Sequence, residues 1–259
     1  MRVAVCLHGQ PRAALQSYEN IKHFIIEPNN ADVFIHMNID EADPYIEKSH
    51  INNGVCSYPA NIVETIKRLY SPKKILTEKP KKLFNKNIVL PEKRIERSYE
   101  LNGSLNMSRD EHIKHTVRQK YSHYYSIYKC NELKEMYSLE NEIVYDFVVS
   151  IRFDAFPKDY LRCSSFSPDY VYSQDLNMPD NLINDWLVVG SNLAMNIYAS
   201  LFLHMEYLNT LKFYKKQERS ENTLEPSDVC GGWSECLHRD LLDLHKIPRK
   251  TFNIGLGLH

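Results

Sequence analysis

Neither sign of charge prevails in this chain of 259 residues, where 32 lysines and arginines face 33 aspartates and glutamates for a formal net charge of −1. It therefore lacks the basic excess with which a nucleic-acid-binding domain attracts phosphates, and nucleic acid is not among the expected partners. The six cysteines, at positions 6, 56, 130, 163, 230 and 236, form no Cys-x-x-Cys pair and no repeated spacing. Zinc ribbons and disulfide frameworks fall away on that ground, and the thiols are expected to be reduced. No apolar run approaches the ~18 residues of a membrane span. The amino-terminal run Val3–Leu7 is too short for a secretory signal core, so a cytoplasmic location is expected. Glycine is scarce, at 8 residues, and neither the spaced-glycine dinucleotide fingerprint nor the P-loop pattern occurs.

What is present is the balance of an ordinary globular protein, 43% hydrophobic and 25% charged, long enough to bury a sizeable α/β core. The 17 tyrosines suit a surface that stacks on sugar-like ligands, or equally reflect a composition biased toward Asn and Lys. The chain is organised around Tyr145–Pro157, where the apolar, β-branched run Phe147–Ile151 reads as a buried central strand. That strand ends in Arg152, Phe153 and Asp154. In an open α/β sheet the ligand crevice lies outside the carboxyl ends of the strands, so this cation and carboxylate are well placed for function; they would equally serve as a strand-end ion pair.

Val3–Leu7 is a second such strand, and it gives way through His8, Gly9, Gln10, Pro11 and Arg12 to a helical pattern at Leu15, Tyr18, Ile21 and Ile25. Gly9 permits close backbone approach, Pro11 stiffens the turn, and Arg12 brings a guanidinium to a helix N-terminus that already favours anions. Residues 31–37 form the next strand, with Asn38 and Asp40 just beyond it. The strands at 3–7, 33–37 and 147–152 are expected to be parallel neighbours, with Gly9, Asn38 and Asp154 on one edge. Residues 44–60 read as loop, 62–69 as helix and 74–77 as strand, followed by a lysine-rich stretch to Lys93. The longest helix is predicted from Asp110 to about Tyr137. Its apolar face is Ile113, Val117, Tyr121, Tyr124 and Tyr128, and its small, polar stripe is Gln119, Ser122, Ser126 and Cys130, so both faces are expected to be partly buried. Strands at 170–172 and 186–189, a helix from about Asn192 to Leu208, a last helix through Leu237 and Leu244, and a strand at 250–254 complete the pattern.

Together the segments VAVCLHGQPR, ADVFIHMNID, QKYSHYYSIYKC, YDFVVSIRFDAF and NDWLVVGS resemble those of GT-A-type, nucleotide-sugar-dependent glycosyltransferases of virus-encoded and bacterial surface-glycan pathways. The resemblance implies one Rossmann-like domain over residues 1–259, a mostly parallel sheet flanked by helices, with a nucleotide-binding half to about residue 156 and an acceptor-side half from about 157. It implies that His8, Gly9, Gln10, Pro11, Arg12 and Asn38 hold the nucleotide sugar, and that Arg152 and Asp154 meet its diphosphate. The family's common acidic motif is Asp-x-Asp; here Arg152 stands at the first position, which leaves Asp154 as the ligand for a divalent cation, Mn²⁺ or Mg²⁺. An inverting enzyme also needs a base on the acceptor side, for which Asp185, Asp228 and Glu235 are the candidates. The implied partners are a nucleotide-sugar donor and a glycan or glycoconjugate acceptor. Two rival readings use the same residues: a nucleotidyl- or sulfotransferase, and a nucleotide- or glycan-binding module without turnover.

Overall fold

The computed structural model describes residues 1–40, 45–46, 56–57, 59, 61–79, 108–175, 183–208 and 233–258. Along them run β1 (Val3–Gly9), α1 (Ala14–Ile21) with a π-helical turn (Lys22–Ile26) and the short α2 (Glu27–Asn29), β2 (Asp32–Asn38), β3 (Tyr45–Ile46), β4 (Cys56–Ser57), α3 (Ile62–Tyr70) and β5 (Lys74–Glu78). The long helix α4 (Arg109–Glu140) leads to β6 (Phe147–Arg152), β7 (Ala155–Phe156), β8 (Val171–Gln174) and β9 (Leu187–Ser191). There follow α5 (Asn192–Ala199), α6 (residues 201–208), α7 (Trp233–Leu244), β10 (Arg249–Phe252) and β11 (Gly257–Leu258).

Seven strands share one mixed sheet in the order β10, β8, β9, β6, β1, β2, β5, and only β9 runs against the others. Alternation along the strands divides the core into two layers. Val3, Val5 and Leu7 of β1 pack with Ala14, Tyr18 and Ile21 of α1 and with Ile62 and Ile66 of α3. Ala4 and Cys6 face the other way, with Phe34 and Val148, toward Val117, Tyr124 and Ile127 of α4, Met195 of α5 and Leu241 of α7. Helices thus cover both faces, which is why β1, β2 and β6 read as nearly unbroken apolar runs. The expected Rossmann-like α/β architecture is the one found.

Helix α4 begins with a capping box, in which Ser108 accepts the Glu111 amide while the Glu111 carboxylate takes the Ser108 amide at 2.9 Å. Both of its sides are buried, as the two stripes predict, but they meet different partners. Ser126 and Cys130 lie against the sheet, the Cys130 thiol donating toward the carbonyls of Leu7 and Phe34 at 3.3 and 3.4 Å; Gln119 stays exposed. On the opposite side Tyr121, Tyr125 and Tyr128 surround Phe202 of α6, with ring centroids 5.2 to 6.0 Å apart. These tyrosines join helix to helix.

Three local expectations are corrected. Residues 44–60 are not all loop, because β3 and β4 pair antiparallel. The strand expected from Trp186 starts at Leu187 and ends at Ser191. The helix expected from Asn192 to Leu208 breaks at Ser200, whose hydroxyl donates back to the Ile197 carbonyl at 2.8 Å and competes with the helical ladder. The lysine-rich stretch beyond Lys79 lies outside the described residues.

Candidate functional site at the carboxyl edge of the sheet

The run β5, β2, β1, β6 has the outward order of a doubly wound sheet, and its direction of winding reverses between β1 and β6. Such a switch point opens a crevice at the carboxyl ends of the two strands. In parallel register Val3 to His8 pair with Phe147 to Arg152, while His8 and Gly9 pair with His36 and Met37 on the other side. His8, Gly9, Asn38 and Arg152 therefore meet on one edge, with Asp154 two residues on. Because β9 runs antiparallel to β6, its leading end comes to the same edge: the Arg152 amide donates to the Trp186 carbonyl at 3.2 Å, which brings in Asp185. Gly9 has a φ of 103°, a conformation that a side chain would strain, and from it the loop through Gln10, Pro11 and Arg12 feeds α1. Arg12 Nε donates to the Gln10 side chain at 2.9 Å, so the guanidinium is tethered within the loop. Of the other predicted bases, Asp228 lies outside the described residues; Glu235 is on α7, but its side chain lies outside the described ones.

Arg152 is the last residue of β6 and Asp154 lies in the turn that leads to β7, and the two side chains join across that turn. Arg152 Nε and Nη2 donate to the two oxygens of Asp154 at 2.8 and 2.6 Å, a bidentate pair in which the Asp154 side chain is only 6% exposed and that of Arg152 23%. Burial opposes the charge on Arg152, yet Asp154 and Asp185 hold its pKa above the ordinary value. A hard divalent cation needs carboxylate oxygens that are free to turn to it. Both oxygens of Asp154 accept from Arg152 in this geometry, and no group of three His, Cys, Asp or Glu side chains among the described residues is arranged around a point where a metal could sit. A divalent cation at Asp154 would have to share or displace the Arg152 pair.

Beside this pair lies a histidine cluster. His8 is fully buried, with Nε2 at 3.0 Å from the Ser150 hydroxyl, and its ring meets that of His123 edge-on at 5.4 Å. Its pKa is held well below 6.5, first by burial and then by the neighbouring charges of His123 and Arg152, so it is neutral near pH 7. His123 Nε2 sits 3.2 Å from Asp185 Oδ2. Burial alone would raise the Asp185 carboxyl, but His123, Lys120 and Arg152 hold it far below the ordinary carboxylate range. From α7, His238 stacks on Tyr198 at 4.0 Å and meets Tyr124 edge-on. His8 Nδ1, Asn184 Nδ2 and both ring nitrogens of His238 are buried without a hydrogen-bond partner among the described residues. Each such orphan costs about 1–3 kcal/mol, and a fold that gathers several at one strand edge is carrying that cost at a site.

A second network fixes the loop. The Gly9 amide donates to the Ser126 hydroxyl at 2.8 Å; Ser126 is also 2.7 Å from His36 Nδ1, and His36 Nε2 is 3.0 Å from Glu78, which accepts from the Tyr125 hydroxyl at 2.8 Å. The spacing is that of a serine, histidine and carboxylate in line, but Ser126 is fully buried and already bonded by Gly9, so it is a strut and not a nucleophile. Ser126→Ala should lower the unfolding free energy by about 1–3 kcal/mol in a urea titration, since two polar partners lose their common neighbour. An unchanged midpoint would mean that the loop stands without α4.

Of the residues selected from sequence, His8, Gly9, Asn38, Arg152, Asp154 and Asp185 lie at one sheet edge and Gln10, Pro11 and Arg12 in the loop that leaves it, while Asp228 and the Glu235 side chain lie outside the described residues. The sequence reading missed His123, His238, Ser126 and His36. One signal was available: His8 and His36 interrupt apolar strands at paired positions on the face that α4 covers. A surface depression of about 320 Å³ beside Glu19, His23 and Phe24 includes none of the site residues.

No protein-family model and no curated protein sequence matches the chain. Among solved structures, it is similar to apo mouse xyloside xylosyltransferase 1 at 9% identity and a TM-score of 0.39, over 97% of this chain and 84% of that one. A transferase carrying two cysteine-to-serine substitutions aligns at 12% identity and 0.36, over 95% and 85%. A nucleoside-diphosphate-sugar pyrophosphorylase from Vibrio cholerae aligns at 7% and 0.33, over 99% and 94%. These likenesses are too distant to bear on residue roles, which rest on the geometry above.

Proposed function

We propose that this protein transfers a sugar from a nucleoside-diphosphate sugar to a hydroxyl group of a glycan or glycoconjugate. The observation that carries the reading is the switch point itself, where the Gly9 loop entering α1 lies beside Arg152 and Asp185 on one sheet edge. Arg12 brings a guanidinium to the start of α1, where the helix dipole also favours an anion such as a diphosphate. Arg152 stands where the leaving diphosphate would gain charge as the glycosidic bond breaks.

The closed Arg152–Asp154 pair favours one rival, a module that binds nucleotide without turnover, and a single panel separates the two. Uridine, guanosine, adenosine and cytidine diphosphates and their sugars are added with EDTA, Mg²⁺ or Mn²⁺, and melting is followed. A ligand at a hundred times its dissociation constant should raise the melting temperature by about 5–10 °C. Release of nucleoside diphosphate from the stabilising sugar nucleotide then marks a transferase, and stabilisation without release marks the module. No shift with any ligand would overturn both. Arg12→Ala should raise the Michaelis constant for donor by roughly 10-fold or more with little change in turnover, because its contact exists before the bond breaks.

A further inference from the structure

We propose that His123 is the base that accepts the proton of the attacking hydroxyl, and that Asp185 is the positioning residue that holds its imidazole. The proposal rests on the nucleotide-sugar reading for the identity of that hydroxyl. Asp185, a candidate base from sequence, is poorly suited to the task itself. Its side chain is 6% exposed and spent on His123 and Arg152, and a carboxyl held far below its ordinary range is a weak base. His123 has what Asp185 lacks. It projects from α4 over the switch point, against His8, and keeps 17% of its side chain exposed. Its Nε2 lies 3.2 Å from Asp185 Oδ2, a contact that favours the tautomer with the hydrogen on Nε2 and the lone pair on Nδ1. The Nε2 to Asp185 contact of 3.2 Å is off the line of a straight hydrogen bond, as catalytic contacts in ligand-free proteins often are.

The groups around the ring set its charge balance. His8 faces it from β1, Arg152 lies on β6, Asp185 precedes β9, Lys120 and Tyr124 are on its own helix, and His238 comes from α7. His8 and His238 are kept neutral, so Asp185 is the carboxylate that meets the imidazolium once it forms. In the step itself the acceptor O–H bond breaks and its proton passes to His123 Nδ1. The freed electron pair forms the bond to the anomeric carbon, and the bond from that carbon to the diphosphate oxygen breaks with its pair leaving on the diphosphate. Charge moves from the acceptor to the leaving group, with Asp185 compensating the first site and Arg152 the second.

Two measurements on the full chain test this. Long-range ¹H–¹⁵N spectra of the imidazoles, with His123 assigned through its loss in His123→Gln, should show the Nε2–H tautomer, and Asp185→Asn should redistribute it. An Nδ1–H tautomer, or one indifferent to Asp185→Asn, overturns the pairing whether or not any nucleotide binds. In the second, nucleoside diphosphate release from the sugar nucleotide that stabilises the protein is followed from pH 5 to 9, with methyl glycosides as acceptors. His123→Gln should lower turnover at least 100-fold and leave stabilisation by the nucleoside diphosphate within twofold. Equal losses of turnover and stabilisation would make His123 a binding residue and overturn the base. Should no nucleotide stabilise the wild-type protein, the nucleotide-sugar reading falls and the base with it, while the tautomer still reports on the pairing alone.

Discussion

Taking the protein from pH 7.5 to pH 5 should weaken it substantially, and His238→Phe should remove about 2 kcal/mol of that loss. His238 is fully buried, and its pKa is lowered from 6.5 to about 3, first by burial, with the charges of His123 and Lys120 adding and that of Asp185 opposing. A depressed imidazole is protonated first in the unfolded chain, so below about pH 6.5 the unfolded state binds a proton that the folded state refuses. Stability is then fully present above pH 6.5 and falls as the pH drops toward 3. At pH 5 the difference from this one group is about 2 kcal/mol. His8 acts in the same direction, and Asp185 joins only below the ordinary carboxylate range, where its unfolded form takes up protons that its folded form does not. Phenylalanine keeps the stack on Tyr198 and the edge contact with Tyr124 while removing two orphan nitrogens, so the variant should be no less stable at pH 7.5. Urea titrations at the two pH values measure both quantities. Parallel pH slopes for wild type and variant would show that His238 is not the buried neutral group described here.

Strand runs were readable because helices cover both faces of the sheet, and a strand buried on both faces must be apolar throughout; β1, β2 and β6 announce themselves in that way. Direction is another matter. Nothing in Leu187–Val189 distinguishes a parallel from an antiparallel strand, since side-chain alternation is the same in both, yet the reversal of β9 is what delivers Asp185 to the crevice. The histidine cluster was illegible for a related reason. His8, His123 and His238 come from a strand and two helices more than a hundred residues apart in sequence, and only tertiary packing makes them neighbours. Arg152 and Asp154 were legible in position and ambiguous in role. Their two-residue spacing allowed an ion pair and a ligand site alike, and the bidentate geometry establishes the ion pair without deciding whether it also serves a ligand.

That question is decided by removing the pair one side at a time and then together. Asp154→Asn should cost about 2–3 kcal/mol of stability, because it strips the charge that compensates a largely buried guanidinium. The cost lies below the usual range for a buried pair because 23% of the Arg152 side chain meets solvent. Arg152→Met should cost at least as much, since it removes the cation that Asp154 and Asp185 share. The double variant, Arg152→Met with Asp154→Leu, removes charge and countercharge together and should recover most of the loss, as buried pairs replaced by apolar side chains commonly do. A role in diphosphate binding predicts a different pattern for function. Every variant that lacks Arg152 should lose turnover however stable it is, so the double variant would be well folded and inactive. If the double variant is stable and still releases nucleoside diphosphate at the wild-type rate, the pair is a strand-end brace and the leaving group is stabilised elsewhere. If it is unstable, the coupling between the two residues is weaker than their geometry implies, and Asp185 is the more important partner of Arg152.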